Sequence, residues 1–447
     1  MSLPLLLTLV VGPAEPVQRA ATDAVLSVPA SGAAEPAVPD VTAGPAAPID
    51  RPSSPAAASA PVAGAIKPGP SASAPARPRL ATLREKFDFF PYGWVRTDAT
   101  YFSAGREGYS NLSLSGARLG GGVAVGPVTA FVTIEAANAK GPQLFDAYVA
   151  WDIVKRLRLR GGQFKAPFGY RFNAPDLVDE LPRAPLSMQA ATPGRQVGVE
   201  LSYDFWRYAD LFLAVFSGIG QNRGANNTKV AFAGKLQLRP LAFAPGGPQL
   251  IVNASLFTYS KTNGFTPTLH SALGFDFLHG IPATGVARRV ATGGGLFWRY
   301  LSARGEFFYT SDARERDTDG DPFTRGEPLP PMIGAGGYAQ VGAVVTGQAK
   351  DPMTLLPLLA SARVRDSAVE LSARYERFRS AARDVPGNGI ETVTGGVNWV
   401  LLRHLRIFAA ASWQRLDTAV PEFPGATSWG IAGGIAGYFL GRADQGN

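Results

Sequence analysis

Residues 88–447 are divided into short runs in which apolar and polar residues alternate, separated by Gly, Pro, Asn and Asp. In residues 367–378, one set of alternate positions is apolar and the other is polar. The apolar set is Val369, Leu371, Ala373 and Tyr375, and the polar set is Glu370, Ser372, Arg374 and Glu376. Because successive side chains of a strand point to opposite faces, this pattern predicts strands with one apolar and one polar face. It is typical of an all-β protein, either a soluble sandwich or a membrane barrel.

The lengths of the connections separate these two architectures. Sixteen strands are predicted, at 89–103, 110–125, 128–138, 143–153, 157–164, 196–203, 208–217, 229–239, 249–259, 289–298, 300–310, 336–347, 367–378, 389–401, 404–416 and 427–440. If the first strand leaves the periplasm, the tight connections are periplasmic, at 126–127, 154–156, 204–207, 299 and 402–403. The long connections are then external, at 165–195, 218–228, 260–288, 311–335, 379–388 and 417–426. Outer-membrane barrels show this alternation, so we predict an all-β fold, a sixteen-stranded antiparallel transmembrane β-barrel, over residues 88–447.

Two connections do not follow the alternation. The periplasmic connection 240–248 is moderately long, and 348–366 is much longer than a turn requires. An amphipathic segment at 268–277 also has the pattern of a strand. An additional strand would make the number of strands odd, and it would place the tight turn at Arg299 on the external side of the membrane. We therefore assign 268–277 to an external loop.

The composition excludes several other classes of protein. After its first residues the chain has no apolar run of 18 or more, which disfavours a helical membrane protein. It contains no cysteine, which excludes disulfides, thiolate metal sites and cysteine nucleophiles. The net charge of +8 lies entirely in residues 81–447, because residues 1–80 carry five basic and five acidic residues. These cations are not clustered with aromatic residues on one element, so no nucleic-acid partner is predicted.

The N-terminal region differs from the rest. Residues 3–11, LPLLLTLVV, resemble the apolar core of a secretion signal, although no Lys or Arg precedes them and no A-x-A motif follows closely. We predict a signal peptide over residues 1–25, with a chance apolar N-terminus as the alternative. Residues 26–87 are rich in Ala, Pro, Ser and Gly, a composition that buries too little apolar surface to fold, so we predict a disordered periplasmic segment.

Aromatic residues near the predicted strand ends are expected to form belts at the two membrane interfaces. The examples are Phe89, Phe90, Tyr92, Trp94, Tyr438 and Phe439. Packing inside a core is the alternative.

Two neighbouring motifs resemble a known family. LRLRGGQFKAPFG at 157–169, followed by RQVG at 195–198, resembles the phosphate-selective porin O and P family, whose members carry a similar G-Q-F-K-x-P-F-G stretch. The resemblance continues through ELSAR at 370–374, with Tyr375, and TVTGGVNW at 392–399. It implies a trimeric, sixteen-stranded porin of the bacterial outer membrane, with the loop after the fifth strand folded inward to narrow the pore. It also implies a long periplasmic turn inside the lumen, which fits the connection 348–366.

If the apolar faces contact lipid, the polar faces line the lumen. The candidate wall residues are charged residues of both signs. They are Arg96, Arg158, Arg160, Lys235, Arg239, Arg304, Arg374 and Arg406, and Asp98, Glu135, Asp146, Glu200, Glu306, Glu370 and Glu376. Because the signs nearly balance, we predict transverse ion pairs along the wall and only a mild preference for anions.

The connection 165–195 holds the candidate selectivity residues. In the family that the sequence resembles, anion selectivity is attributed to arginines and lysines at the constriction. Four cations and three carboxylates occupy this loop, namely Lys165, Arg171, Arg183 and Arg195, and Asp176, Asp179 and Glu180. We predict that the four cations face passing anions at the narrowest point. Anchoring of the loop, or contacts between protomers, is the alternative role.

Two further groups of residues were weighed as sites. The acidic loop DTDGD at 317–321 offers Asp317, Asp319 and Asp321 as weak calcium candidates, but the spacing departs from the EF-hand and a solvated acidic loop is preferred. The histidines His270, His279 and His404 lack metal-type spacing, so no metal, cofactor or enzyme activity is predicted. An outer-membrane lipase or protease is the enzymatic alternative.

Together these features predict a porin for passive diffusion of small hydrophilic solutes, with a preference for anions such as phosphate. The expected partners are outer-membrane lipid, the transported anions and the other subunits of a homotrimer. A non-selective general porin, and a structural or adhesive barrel with a plugged lumen, are the alternatives.

Overall fold

The structure is a computed structural model. It describes residues 87–104, 107–137, 141–174, 180–206, 208–218, 220–222, 230–241, 247–271, 276–316, 326–359, 367–402, 404–418 and 427–439. The predicted signal peptide, the predicted disordered segment up to residue 86, and the calcium candidates Asp317, Asp319 and Asp321 lie outside the described residues.

Strands make up most of the described chain. They are β1 (Asp88–Ala104), β2 (Glu107–Val125), β3 (Val128–Glu135), β4 (Gln143–Val154), β5 (Leu157–Lys165), β6 (Arg195–Asp204), β7 (Ala209–Phe216), β8 (Ala231–Leu238), β9 (Gln249–Phe265), β10 (Leu269–His270), β11 (Asp276–Leu278), β12 (Pro282–Trp298), β13 (Leu301–Glu315), β14 (Pro328–Val344), β15 (Ala368–Ala381), β16 (Asn388–Leu401), β17 (Leu405–Leu416) and β18 (Thr427–Phe439). One short helix, α1 (Leu186–Ala191), lies between β5 and β6. No helix in the described part of the chain is long and apolar enough to cross a membrane.

The strands close into a barrel. β1 pairs antiparallel with β18, and the order around the sheet follows the chain from β1 to β9 and then from β12 to β18. The described residues therefore form a closed barrel of sixteen strands, which confirms the predicted fold class and strand number. β10 and β11 form a separate two-stranded sheet, so the described residues of the segment at 268–277 add no strand to the barrel sheet, as predicted.

We call the end of the barrel that carries the long connections the loop end, and the other the turn end. At the loop end, four strands are at least five residues longer than predicted. β9 ends at Phe265 instead of 259, β12 begins at Pro282 instead of 289, β13 ends at Glu315 instead of 310, and β14 begins at Pro328 instead of 336. β13 and β14 remain paired up to Glu315 and Pro328. The sequence analysis underestimated the lengths of these strands for two reasons. Alternation of apolar and polar residues is required only where one face of the strand contacts lipid. The prolines at 328, 330 and 331 also argue against a strand at the start of β14.

The outer face of the barrel is apolar and the inner face is polar. On β15, Leu371 and Tyr375 are 49% and 45% exposed, whereas the intervening Glu370, Arg374 and Glu376 are at most 3% exposed. A closed barrel satisfies every backbone hydrogen bond while presenting apolar side chains to lipid, which is how strands cross the bacterial outer membrane. The architecture confirms the predicted outer-membrane location.

Aromatic side chains form outward belts at both ends, but not all the residues predicted for them take part. Trp151, Trp298 and Trp399 are exposed near the turn end, and Tyr101, Trp413 and Trp429 near the loop end. Phe89 and Phe439 point outward as predicted. The prediction was wrong for Phe90, Tyr92, Trp94 and Tyr438, which are buried in a cluster on the inner face. These four residues lie at the alternate positions of their strands whose side chains point into the barrel.

A glycine pair on β5 gives a test of close strand packing. Gly162 has a φ of +132°, and a Cβ added there would lie 2.3 Å from the carbonyl oxygen of Ala147 on β4. At Gly161 an added Cβ meets nothing within 4 Å. We expect Gly162→Ala to lower the free energy of unfolding by ~1–3 kcal/mol. Gly161→Ala should leave the free energy of unfolding within ~1 kcal/mol of that of the parent protein. Denaturant unfolding of the barrel in detergent measures both, and equal stabilities would contradict the expectation.

Candidate functional site

The connection 165–195, here called the constriction loop, crosses the barrel. It leaves β5 and returns to β6, yet its middle contacts the opposite wall. The backbone N–H of Leu186 donates to Glu376 on β15 at 2.6 Å, and the side-chain amide of Asn398 on β16 donates to the Glu180 carbonyl at 2.6 Å. The loop therefore lies in the lumen, as the resemblance implied.

The start of the loop is held by β9 and β13. The backbone N–H of Gly169 donates to Ser255 Oγ at 2.9 Å, and that of Arg171 donates to Glu306 at 3.0 Å. Phe168 is fully buried and packs against Phe308, with ring centroids 6.4 Å apart. Apolar packing and hydrogen bonds together fix the position of the loop.

The anomalous connection between β14 and β15, residues 345–367, also enters the lumen, and we call it the lumen turn. Leu355 is 1% exposed and belongs to the inward aromatic cluster that contains Trp94 and Phe297. The Tyr170 hydroxyl of the constriction loop donates to the carbonyl of Pro352 in this turn. The two segments, which start from opposite ends of the barrel, thus meet inside it.

Four charged side chains join the loop, the turn and the wall. Glu180 of the constriction loop accepts hydrogen bonds from Arg304 on β13 and from Lys350 of the lumen turn, and Lys350 also donates to Glu370 on β15. None of these side chains is more than 4% exposed. We call Glu180, Arg304, Lys350 and Glu370 the lumen lock.

The protonation states of the two loop residues fit these contacts. Burial opposes ionisation of Glu180, but Arg304 and Lys350 outweigh it and hold the pKa of this carboxyl well below its usual range. Burial raises the pKa of the Tyr170 hydroxyl far above its usual value. Glu180 is therefore an anion and Tyr170 a neutral donor at neutral pH.

The predicted constriction cations do not form one group. Lys165 donates to the carbonyls of Phe172 and Ala174, both at 3.1 Å, and Arg195 pairs with Asp146 at 2.9 Å. Arg171 is 2% exposed. The contacts of Lys165 and Arg195 are those of loop-anchoring residues, the alternative considered from the sequence.

Arg183 is the exposed member of the four. Its carbonyl accepts a hydrogen bond from Arg374 on β15 at 2.9 Å, which holds this part of the loop near the wall. No carboxylate of the described residues forms an ion pair with its side chain. Part of the surface of this residue therefore remains accessible to solutes.

The predicted wall charges lie on the inner face and are largely paired. Arg160 on β5 binds Glu200 on β6 through two contacts of 2.9 Å. The other pairs are Arg96 with Asp98, Arg118 with Glu135, Arg158 with Asp152, Arg239 with Asp210, and Arg374 with Glu376. Arg406 donates to Asn398 at 2.9 Å. Four of these six ion pairs join one strand to the next, with Arg239 directly after the end of β8, whereas Arg96–Asp98 and Arg374–Glu376 each lie within one strand.

The sequence analysis missed several residues of this region, among them Arg118, which pairs with Glu135 on the inner face. Lys350 was not singled out, although it lies in the connection whose length was recognised as anomalous. Asn398, which binds both Glu180 and Arg406, is uncharged and gave no signal in a search for charged wall residues.

The other candidate sites bring no reactive groups together. Among the described residues, no three His, Asp or Glu side chains form a metal-type group. His270 pairs with Asp276 in the β10–β11 sheet, whereas His404 contacts the carbonyl of Tyr438 at the turn end. These two histidines thus lie on separate connections.

Comparisons with known proteins support the fold. No protein-family model matches the sequence, and no curated protein matches it. OmpT (in-vitro folded), an outer membrane protein of Vibrio cholerae, has a TM-score of 0.52 at 10% identity over 79% of this chain and 97% of that chain. Its trimer form gives 0.50 at 9% identity over 79% and 99%. An anion-selective porin from Comamonas acidovorans gives 0.50 at 14% identity over 79% and 100%. The chain thus has the fold of outer-membrane porins.

Proposed function

We propose that the chain is a porin for passive diffusion of small hydrophilic solutes, with a modest preference for anions. The observation that carries this proposal is a closed barrel whose charged inner face is narrowed by the constriction loop and the lumen turn. A narrow, charged lumen selects by solute size and by its electrostatic field, without chemical reaction.

The anion preference is inferred from the balance of contacts. The wall carboxylates Asp98, Glu135, Asp146, Glu200, Glu370 and Glu376 each have an Arg or Lys partner. In contrast, Lys235 contacts the neutral side-chain oxygen of Asn173, and Arg183 is exposed. Glu306 accepts hydrogen bonds from the Tyr338 hydroxyl and from two backbone N–H groups. Two cations thus stand against one carboxylate, in agreement with the sign of the excess of +8.

Phosphate is one such anion. The motifs at 157–169 and 195–198 resemble the phosphate-selective family, and a structure of similar fold is described as an anion-selective porin. The mixed charges of the constriction loop support a weak preference rather than a strong phosphate site. The same resemblance and the trimer form of the Vibrio protein support a homotrimer.

Reversal potentials across planar bilayers test the preference. In a potassium chloride gradient we expect a chloride-to-potassium permeability ratio above one, and a lower ratio for Arg183→Gln, because this substitution removes an exposed cation from the constriction. The control is Arg377→Gln, whose side chain is 53% exposed on the outer face. A parent ratio of one would favour a general porin, and an absence of conductance would favour a plugged barrel.

A further inference from the structure

A small cavity lies between the constriction loop and the wall formed by β5 to β8. Its volume is about 50 Å³, whereas one water needs roughly 10–15 Å³ by the same kind of measure. The cavity can therefore hold a group the size of a carboxylate. We call it the Lys235 pocket, after the cation in its wall.

Lys235 on β8 is 5% exposed and lines this pocket. Its ammonium group donates to the side-chain oxygen of Asn173 at 3.0 Å, and it forms no ion pair with a carboxylate in the described part of the chain. An ammonium group has three N–H donors. Since buried charge is costly unless it is paired, an anion that accepts the remaining donors would stabilise Lys235.

The other cations nearby are already neutralised. Arg160 lines the pocket but binds Glu200 through both carboxylate oxygens at 2.9 Å. Arg239, further along the wall, pairs with Asp210 at 2.8 Å. Lys235 is thus the cation of the pocket lining that forms no ion pair with the described residues. Three carboxylates add negative charge nearby, namely Glu200, Asp210 and Glu306. This balance matches a monoanion better than a dianion.

The lining is mixed, with one apolar part that can accept a hydrocarbon group. Pro167, Tyr170, Phe212 and Met353 form this part, whereas Asn173, Glu200 and Gln237 are polar. The Lys235 ammonium lies 5.6 Å from the centroid of the Phe212 ring. A ligand whose carboxylate meets Lys235 would therefore place its adjoining carbon atoms against Phe212.

The pocket adjoins a larger space at the turn end. That vestibule has a volume of about 440 Å³ and shares Arg160, Glu200 and Phe212 with the pocket. Phe90 and Tyr148 extend its aromatic lining. A solute too large for the pocket itself can thus place only its anionic end inside.

We propose that the Lys235 pocket binds small organic monocarboxylates, with the carboxylate at Lys235 and the apolar part against Phe212 and the vestibule. This inference rests on the proposed diffusion of small anions and names an organic class among them. It assigns the binding of the organic carboxylate to a wall residue, in addition to the effect of Arg183 on permeating anions.

Titration calorimetry of the refolded barrel with benzoate tests the proposal without requiring conduction. We expect benzoate to bind, and Lys235→Met to weaken it at least about tenfold, because a hydrogen-bonded charge is lost while the side-chain volume is kept. The matched control is Lys155→Met, because Lys155 is exposed in the turn between β4 and β5 and does not line the pocket. Equal weakening by the two substitutions would overturn the assignment to Lys235.

A second pair of measurements identifies the ligand class and does not depend on the folding of the Lys235 variant. Phe212→Leu should weaken benzoate but leave acetate unchanged, because only benzoate reaches the ring. Inorganic phosphate should compete poorly with benzoate for the parent protein. If phosphate binds the parent protein as tightly as benzoate does, the assignment of the ligand to the monocarboxylates is wrong. A barrel that binds benzoate but does not conduct would refute the porin function and leave the pocket standing.

Discussion

Deleting residues 348–366 and joining Gly347 to Ser367 is expected to raise the single-channel conductance several-fold. The deletion removes Lys350 and Leu355 from the lumen, where they fill space between the constriction loop and the wall. Conductance rises with the free cross-section of the narrowest region. The barrel should still close, because Val344 already pairs with Glu370 and the N–H of Val345 donates to Val369 at 2.8 Å.

The deletion leaves the constriction loop with its other anchors. Glu180 retains Arg304 and accepts a further hydrogen bond from Gln340 at 3.1 Å. The matched control is Leu358→Ser, because Leu358 lies in the same turn but is 57% exposed. We expect the control to conduct like the parent protein. An unchanged conductance after the deletion would show that the lumen turn does not limit the flow of ions.

The barrel could be predicted from the sequence because lipid imposes a local and repeated requirement. Each strand must place apolar residues on one face, as Leu371 and Tyr375 do on β15, and this period is visible without knowing any distant contact. The alternation of short and long connections then fixed the strand number. The errors lie where lipid imposes no such requirement. They are the loop-end extensions of β9 and of β12 to β14, and inward aromatic residues such as Trp94.

The candidate site could be predicted only in part, because its contacts join residues far apart in the chain. Lys350 and Glu180 are separated by 170 positions, and Arg195 and Asp146 by 49. Alternation indicated which charges point inward, but it carried no information on which carboxylate would neutralise each cation. The sequence analysis therefore grouped Lys165 with Arg183, although only Arg183 is exposed.

The lumen lock should be a major determinant of stability. Lys350→Met leaves Glu370 buried without its cation and removes one of the two cations of Glu180. Removing one partner of a buried ion pair costs ~3–5 kcal/mol, because the remaining charge is still desolvated. We expect a loss of this size in denaturant unfolding, together with larger open-channel current noise, because the lumen turn loses a link to the loop and to the wall.

Two variants separate the loss of a counterion from a general packing defect. In Lys350→Met/Glu370→Gln no unpaired carboxylate remains on β15, so we expect much of the lost stability to return while the current noise persists. Arg289→Met breaks the Arg289–Asp312 pair, whose contacts of 2.8 and 2.9 Å are equally buried but join β12 to β13 without touching the lumen turn. It should lower stability by a similar amount and leave the current noise unchanged. If the double variant is no more stable than Lys350→Met, the lumen lock does not act through charge pairing.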